Sequence, residues 1–140
     1  MDEKTYNLIF RGYIREENIY SLPSTSGVYV VYRCYFDKAL HAVSLNELLY
    51  IGKADDLNTR INKHEDWDEW GRKLHPGEQL CFCYTIVTGL ENERVEAALI
   101  NSNQTRLNKE YKNAFPFDKT IVNCAGGYSI IKTLNIVYRQ

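Results

Sequence analysis

Three stretches of the chain carry apolar runs of strand length. GVYVVYRCYF, from Gly27 to Phe36, is rich in valine and tyrosine, ELLYIG closes on Gly52, and QLCFCYTIVTG follows from Gln79. Each reads as a strand, because β-branched and aromatic residues bounded by glycine or polar clusters fit a pleated, buried surface. After the second run, Leu57 and Ile61 lie four apart. Asp55 or Asp56 stands ready to accept from the free amides of a first helical turn. That helix is expected to continue through INKHEDWDEWGRKL, with Trp67 and Trp70 inward and the acidic side solvated, and to end at HPGEQ. GLENERVEAALINSN predicts a second helix from the recurrence of Val95, Ala98 and Leu99.

The remaining segments read as connections. SLPSTSG is a turn, DKALHAVSLNE a polar loop that makes the first two strands a long-looped hairpin, and RLNKEYKNAFPFDKT is loop-like. The first twenty residues, with YNLIF and GYIREENIY, predict one short strand or helix and little more. NCAGGYSIIKTLNIVYRQ predicts a glycine turn and one further strand. The order predicts a single α+β domain over residues 1–140: a central, mostly antiparallel three-stranded sheet flanked by helices, plus a C-terminal extension.

Composition narrows the function classes. Hydrophobic residues make up 44% of the chain and charged residues 25%. That balance excludes disordered and fibrous chains and allows one sizeable core. No apolar run approaches the length of roughly 18 residues that a membrane span needs. MDEKTYNLIF is acidic where a signal peptide is basic. A soluble, cytoplasmic protein with no membrane partner is the expectation. Seventeen Lys and Arg against eighteen Asp and Glu leave a net charge of −1, so any phosphate-binding surface must be local. Cys34, Cys81, Cys83 and Cys124 form no CxxC pair, and strand alternation puts Cys81 and Cys83 on one face. Reduced, buried thiols are expected ahead of a zinc site built from all four.

The stretch LLYIGKADDLNTRINKH, Leu48 to His64, packs a strand, a glycine, Lys53 and a cation-bearing helix into seventeen residues. Arg60 and His64 stand at i, i+4 and would share a helical face, forming a basic pocket with Lys53. Position alone favours ordinary surface cations at Arg60 and Lys53 and a cap or packing residue at His64. Glu96, inside VEAALI, is either an outward residue flanked by core or a carboxylate aimed at a cleft. A magnesium site made of one carboxylate, waters and substrate phosphates has that form. His41 and His75 have no ligand set around them. Lys63, Arg72, Lys73, Arg94, Arg106, Lys109 and Lys112 are candidate nucleic-acid backbone contacts.

Together these residues resemble the GIY-YIG nuclease superfamily. Gly27-Val28-Tyr29 and Tyr50-Ile51-Gly52 look like the two halves of its motif, with Pro23 and Gly27 at the entry to the first strand. Lys53-Ala54, Leu57 and Arg60 resemble the nuclease domain of the excision-repair endonuclease; Glu96 and Asn108 stand where the family has its metal ligand and a recurring asparagine. The resemblance covers roughly residues 22–108. Two features depart from it: twenty residues separate Tyr29 from Tyr50, more than in typical members, and His64 replaces the tyrosine of the repair enzymes, as in some restriction enzymes.

What the resemblance implies is a stand-alone, metal-dependent endonuclease that hydrolyses phosphodiester bonds, with DNA expected ahead of RNA. Tyr50 is the leading candidate to activate the attacking water, with Tyr29 beside it and with Lys53 and Arg60 expected to lower a phenol pKa that is ordinarily about 10. Arg60 would stabilise charge on the phosphate, and Glu96 would hold Mg2+ or Mn2+. His64 would orient water or phosphate, or share the base role. Gly52 would let a phosphate approach the backbone, while Gly27 and Asn108 are structural parts of the motif. Specificity is left to DNA structure, a protein partner or the long loop after Tyr32. The alternative is a non-catalytic module that keeps the fold to bind nucleic acid or a partner. An accidental match is the third reading, and it fails if these side chains converge on one cleft.

Overall fold

A computed structural model describes residues 2–140. Six strands, β1 (Lys4–Arg15), β2 (Gly27–Asp37), β3 (Ala42–Ala54), β4 (Gln79–Ile86), β5 (Thr120–Gly126) and β6 (Leu134–Val137), form one sheet in the order β3-β2-β4-β1-β5-β6. All pairings are antiparallel except β1 with β5, which is parallel. Helices are few: α1 (Leu57–Asn62), α2 (Trp67–Gly71), α3 (Asn92–Asn103) and a 3-10 turn at Glu16–Ser21.

This overturns the expected architecture. The chain is mostly β, a six-stranded mixed sheet, and not a three-stranded antiparallel sheet flanked by helices. The largest difference is β1, which enters the middle of the sheet between β4 and β5. Its sequence KTYNLIFRGYIR has the period of a strand, with Leu8 and Phe10 buried on one side and Asn7 and Ile9 exposed on the other. Its partners lie in residues 81–84 and 120–126, too distant for a local reading to pair them.

Two further expectations are corrected. The polar loop between the first two strands is itself strand: β2 and β3 run on together, and only residues 38–41 remain as a turn. There Asp37 Oδ1 accepts from the Ala39 and Leu40 amides. Two register shifts accommodate the alternation of this extended ribbon. The long helix from Leu57 is broken into α1 and α2. Asp56 caps the first by accepting from the Thr59 amide at 3.1 Å, and Trp70 of the second is fully buried.

The core lies on both faces of the sheet. Val28, Val30 and Tyr32 of β2 face α3 and the C-terminal segment, while Tyr29 and Val31 face α1, α2 and the 3-10 turn. Arg94 ties α3 to the sheet ends without any carboxylate, donating to Thr120 Oγ1 and to the carbonyls of Asp2, Asp118 and Lys119. All four cysteines are buried and free. Among the described residues no helix is long and apolar enough to cross a membrane.

Candidate active site

At the β3 edge of the sheet lies a cleft of about 590 Å³, and four parts of the chain supply most of its walls. Strand β2 contributes Tyr29, β3 contributes Tyr50 and Lys53, α1 contributes Arg60, and α3 contributes Glu93 and Glu96. The segment after α3 adds Asn108, Lys109, Glu110 and Tyr111. Local chemistry fixes these elements against one another. Asn92 Nδ2 at the start of α3 donates to the Ala54 carbonyl at the end of β3, which sets the helix carrying Glu96 beside the strand carrying Lys53.

The two motif glycines are close-contact positions. A Cβ at Gly27 would overlap the Thr85 carbonyl of β4 and come within 2.9 Å of Leu57 Cδ1. Gly52 is opposite Tyr29 in the β2–β3 register, and a Cβ there would overlap the Cζ and Oη atoms of the tyrosine ring. The bare face of Gly52 is thus occupied by Tyr29, and not left open for a phosphate as the motif implies. This packing leaves the Tyr29 ring fully buried while its end still lines the cleft.

Asn108 acts as a short piece of strand. Its Oδ1 accepts from the Ile51 amide at 2.8 Å, and its Nδ2 donates to the Ile51 carbonyl at 2.9 Å. Together with the Leu107 amide bonded to the Leu49 carbonyl, it satisfies the outer edge of β3 next to Tyr50.

Burial dominates the titration of the site. The Tyr29 phenol is pushed far above the usual range by desolvation and by Tyr50, against the opposing charge of Arg60. Tyr50 rises to about 12, again chiefly by burial and then by the Glu96 charge. The expectation that Lys53 and Arg60 make a phenolate available is therefore reversed: both tyrosines are protonated at neutral pH. The arginine's attraction is smaller than the cost of ionising a phenol away from water. Arg60 itself holds Glu65 through two nitrogens, at 2.9 and 3.3 Å.

Glu96 is half-buried and its pKa is raised to about 7, mainly by desolvation, while the Lys53 amide and ammonium hold it back and Glu93 and Glu110 push it further up. Six carboxylates line the cleft (Asp55, Asp66, Glu69, Glu93, Glu96, Glu110), against three cations, Lys53, Arg60 and Lys109. Twice as many acids as bases around an oxygen-rich cleft suits a hard divalent cation, which Mg2+ and Mn2+ both are. A single carboxylate, that of Glu96, in an acidic surround is what an ion held by one carboxylate, waters and substrate phosphates would need.

His64 does not share this wall. Helix α1 ends at Asn62, so the i, i+4 relation to Arg60 no longer places both side chains on one face. The imidazole turns inward, 4.4 Å from the Trp70 ring centroid and 6.0 Å from that of Tyr29. Its Nδ1 accepts from the Asp66 amide at 3.0 Å, and burial together with Arg60 lowers its pKa. A neutral imidazole beneath the two tyrosines is a support for their rings. His64, Glu65 and Asp66 cluster closely enough for one ion, but they are consecutive residues and the Nδ1 position is already used.

Of the outlying cations, only Lys109 lines the cleft. Arg94 is buried among carbonyls, and Arg106 pairs with Glu47 at 3.0 Å. Sequence reasoning misses Glu93, Glu110 and Tyr111. Glu93 stands three residues before Glu96 on one helical face, a signal the sequence contains. Glu110 and Tyr111 lie in irregular chain, where nothing local announces them. No protein-family model matches the chain, and no curated protein or solved structure is significantly similar to it.

Proposed function

We propose that the chain is a metal-dependent endonuclease hydrolysing phosphodiester bonds in nucleic acid, with DNA as the preferred class, and that its likeness to GIY-YIG nucleases extends to the reaction. The observation that carries this reading is the convergence of Tyr29, Tyr50, Lys53, Arg60 and Glu96 on one cleft, from residues spread over much of the chain. A structural role for each alone gives no reason for them to meet.

Glu96 would hold the divalent ion, which when bound supplies an acidified water and neutralises phosphate charge. Tyr50, protonated and only partly buried, donates a hydrogen bond to the phosphate or the attacking water and so orients it, while the fully buried Tyr29 supports its ring from behind. Arg60 exchanges its hold on Glu65 for two phosphate oxygens and stabilises the charge that develops there. Lys53, exposed at the mouth, draws in the polyanion. The acid surplus of the cleft weighs against the non-catalytic module. Without a cation to offset them, twice as many carboxylates as basic groups repel a phosphate backbone.

The test is incubation of supercoiled plasmid, single-stranded and branched DNA, and RNA, with Mg2+ or with EDTA, for wild type, Glu96→Ala and Arg60→Ala. Magnesium-dependent cutting, abolished in both variants, is the expected result. Salt-dependent binding of these substrates without cutting would overturn the enzyme reading in favour of the binding module.

A further inference from the structure

Among the described residues Arg60 is the one cation of the cleft that is ion-paired, and its partner stands outside the cleft wall. Six carboxylates line the cleft, yet the guanidinium is held by a seventh, Glu65, from the turn between α1 and α2. The grip is two-pronged: Nη1 donates to Oε2 at 2.9 Å and Nη2 to Oε1 at 3.3 Å. A carboxylate held in this way offers what a phosphodiester offers, two oxygens sharing one negative charge, to the same edge of the fork.

The turn that carries Glu65 is fixed on both sides. Before it, the His64 ring is sealed from solvent and packed 4.4 Å from the Trp70 centroid. After it, the Asp66 amide donates to His64 Nδ1 at 3.0 Å, and the Asp66 carbonyl accepts from the Trp70 amide at 2.9 Å. Trp67 Nε1 donates to the Ile61 carbonyl at 2.7 Å and closes α1 onto α2. The early end of α1 and the inward histidine thus have a joint result: they present Glu65 to Arg60. The Glu65 carboxyl is held below the usual carboxylate range, chiefly by its own backbone amide and then by Arg60.

We infer that Glu65 is a built-in competitor for the nucleic-acid phosphate, a latch that occupies the Arg60 fork until a phosphodiester displaces it. This regulation rests on the nuclease reading of the cleft. Its sign is opposite to that of a supporting contact: removing a support weakens substrate binding, whereas removing a latch strengthens it. The two side chains are 37% and 66% exposed, so the pair is weak enough to open. Pairs of this kind shift an equilibrium by about two- to fivefold.

The test is fluorescence anisotropy of labelled duplex DNA, single-stranded DNA and RNA in EDTA, for wild type, Glu65→Gln, Arg60→Ala and the double variant. Circular dichroism confirms folding. Glu65→Gln should tighten binding about two- to fivefold, and the gain should vanish in the Arg60→Ala background. An equal gain in both backgrounds is the mere loss of a negative charge and overturns the latch, as does weaker or unchanged binding in Glu65→Gln. In Mg2+ the same factor should appear as a lower KM for cutting, with kcat unchanged. Phenylglyoxal, which modifies accessible guanidinium groups, reads the contact without nucleic acid. Mass mapping should find Arg60 modified faster in Glu65→Gln, and equal rates overturn the inference. No binding or cutting by any variant overturns the nuclease reading together with the latch, whereas wild-type cutting with no gain in Glu65→Gln overturns the latch alone.

Discussion

Replacing Gly52 by alanine separates two opposing effects of known size. In a strand, glycine is worse than alanine by roughly 0.5–1 kcal/mol, because it loses more freedom on folding. By that rule alone the variant would be more stable. At this position, however, the new methyl group falls on the far end of the Tyr29 ring. The ring has little room to yield: it is fully buried, 6.3 Å from the Tyr50 centroid and 6.0 Å from that of His64. Forcing extra volume into such packing costs about 1–3 kcal/mol, so the expected net change is a destabilisation of roughly 1–2 kcal/mol. Urea unfolding followed by fluorescence reads it well. Trp67 and Trp70, with ring centroids 5.6 Å apart, belong to the same aromatic group. A Tyr29→Leu background, whose shorter side chain leaves the disputed space empty, should make the glycine substitution neutral or favourable. If Gly52→Ala stabilises the wild-type chain, or costs the same in both backgrounds, the account of why this glycine is here is wrong.

Two other outcomes follow from buried polar groups near the cleft. Asn108→Ala leaves the Ile51 amide and carbonyl without partners. It should lower unfolding stability by about 2–4 kcal/mol, with Asn108→Asp intermediate because it keeps only the acceptor; an unchanged urea midpoint for Asn108→Ala would show that the edge of β3 needs no cover. Burial raises the folded pKa of Glu96 from 4.5 to about 7. Between those values the folded chain holds more of this proton than the unfolded one, so stability falls as pH rises through the window. In EDTA, Glu96→Gln should therefore gain roughly 2–3 kcal/mol on wild type at about pH 8 and almost nothing at about pH 4, and a difference independent of pH would refute the assignment.

Features governed by near neighbours are legible in the sequence. The cap at Asp56, helix α3 and the runs that form β2 and β4 rest on contacts within a few residues, and the sequence pattern carries such contacts. Strand β1 is not legible, because its alternation is interrupted by Arg11-Gly12 and its partners lie far along the chain. The segment from Asp37 to Glu47 reads as polar and therefore loop-like. It is strand because Arg33 reaches across to Glu47 at 2.8 Å and to Glu78 at 2.5 Å, which lets charged residues sit on paired backbone. At the site, Tyr29, Tyr50, Lys53, Arg60 and Glu96 can be read from the sequence, but not Glu110 and Tyr111 from irregular chain, nor the electrostatics. The protonated state of Tyr29 and Tyr50 depends on burial, and burial depends on Gly52, His64 and Trp70 folding around them. His64 departs from its expected place for a local reason, the early end of α1 at Asn62.

The position of β1 at the centre of the sheet carries a consequence for how the chain comes together. This strand leaves the ribosome before any segment it pairs with, and its parallel neighbour β5 begins more than a hundred residues later, at Thr120. Until then the edge that β5 will occupy stays open, with Leu8, Ile9 and Phe10 unprotected. Closing loops of that length before any contact rewards them is slow, so the last step of folding is the insertion that joins the two halves of the sheet. Nascent chains truncated before β5 should accordingly be captured by chaperones that hold apolar extended segments, and release should coincide with the emergence of residues 120–126.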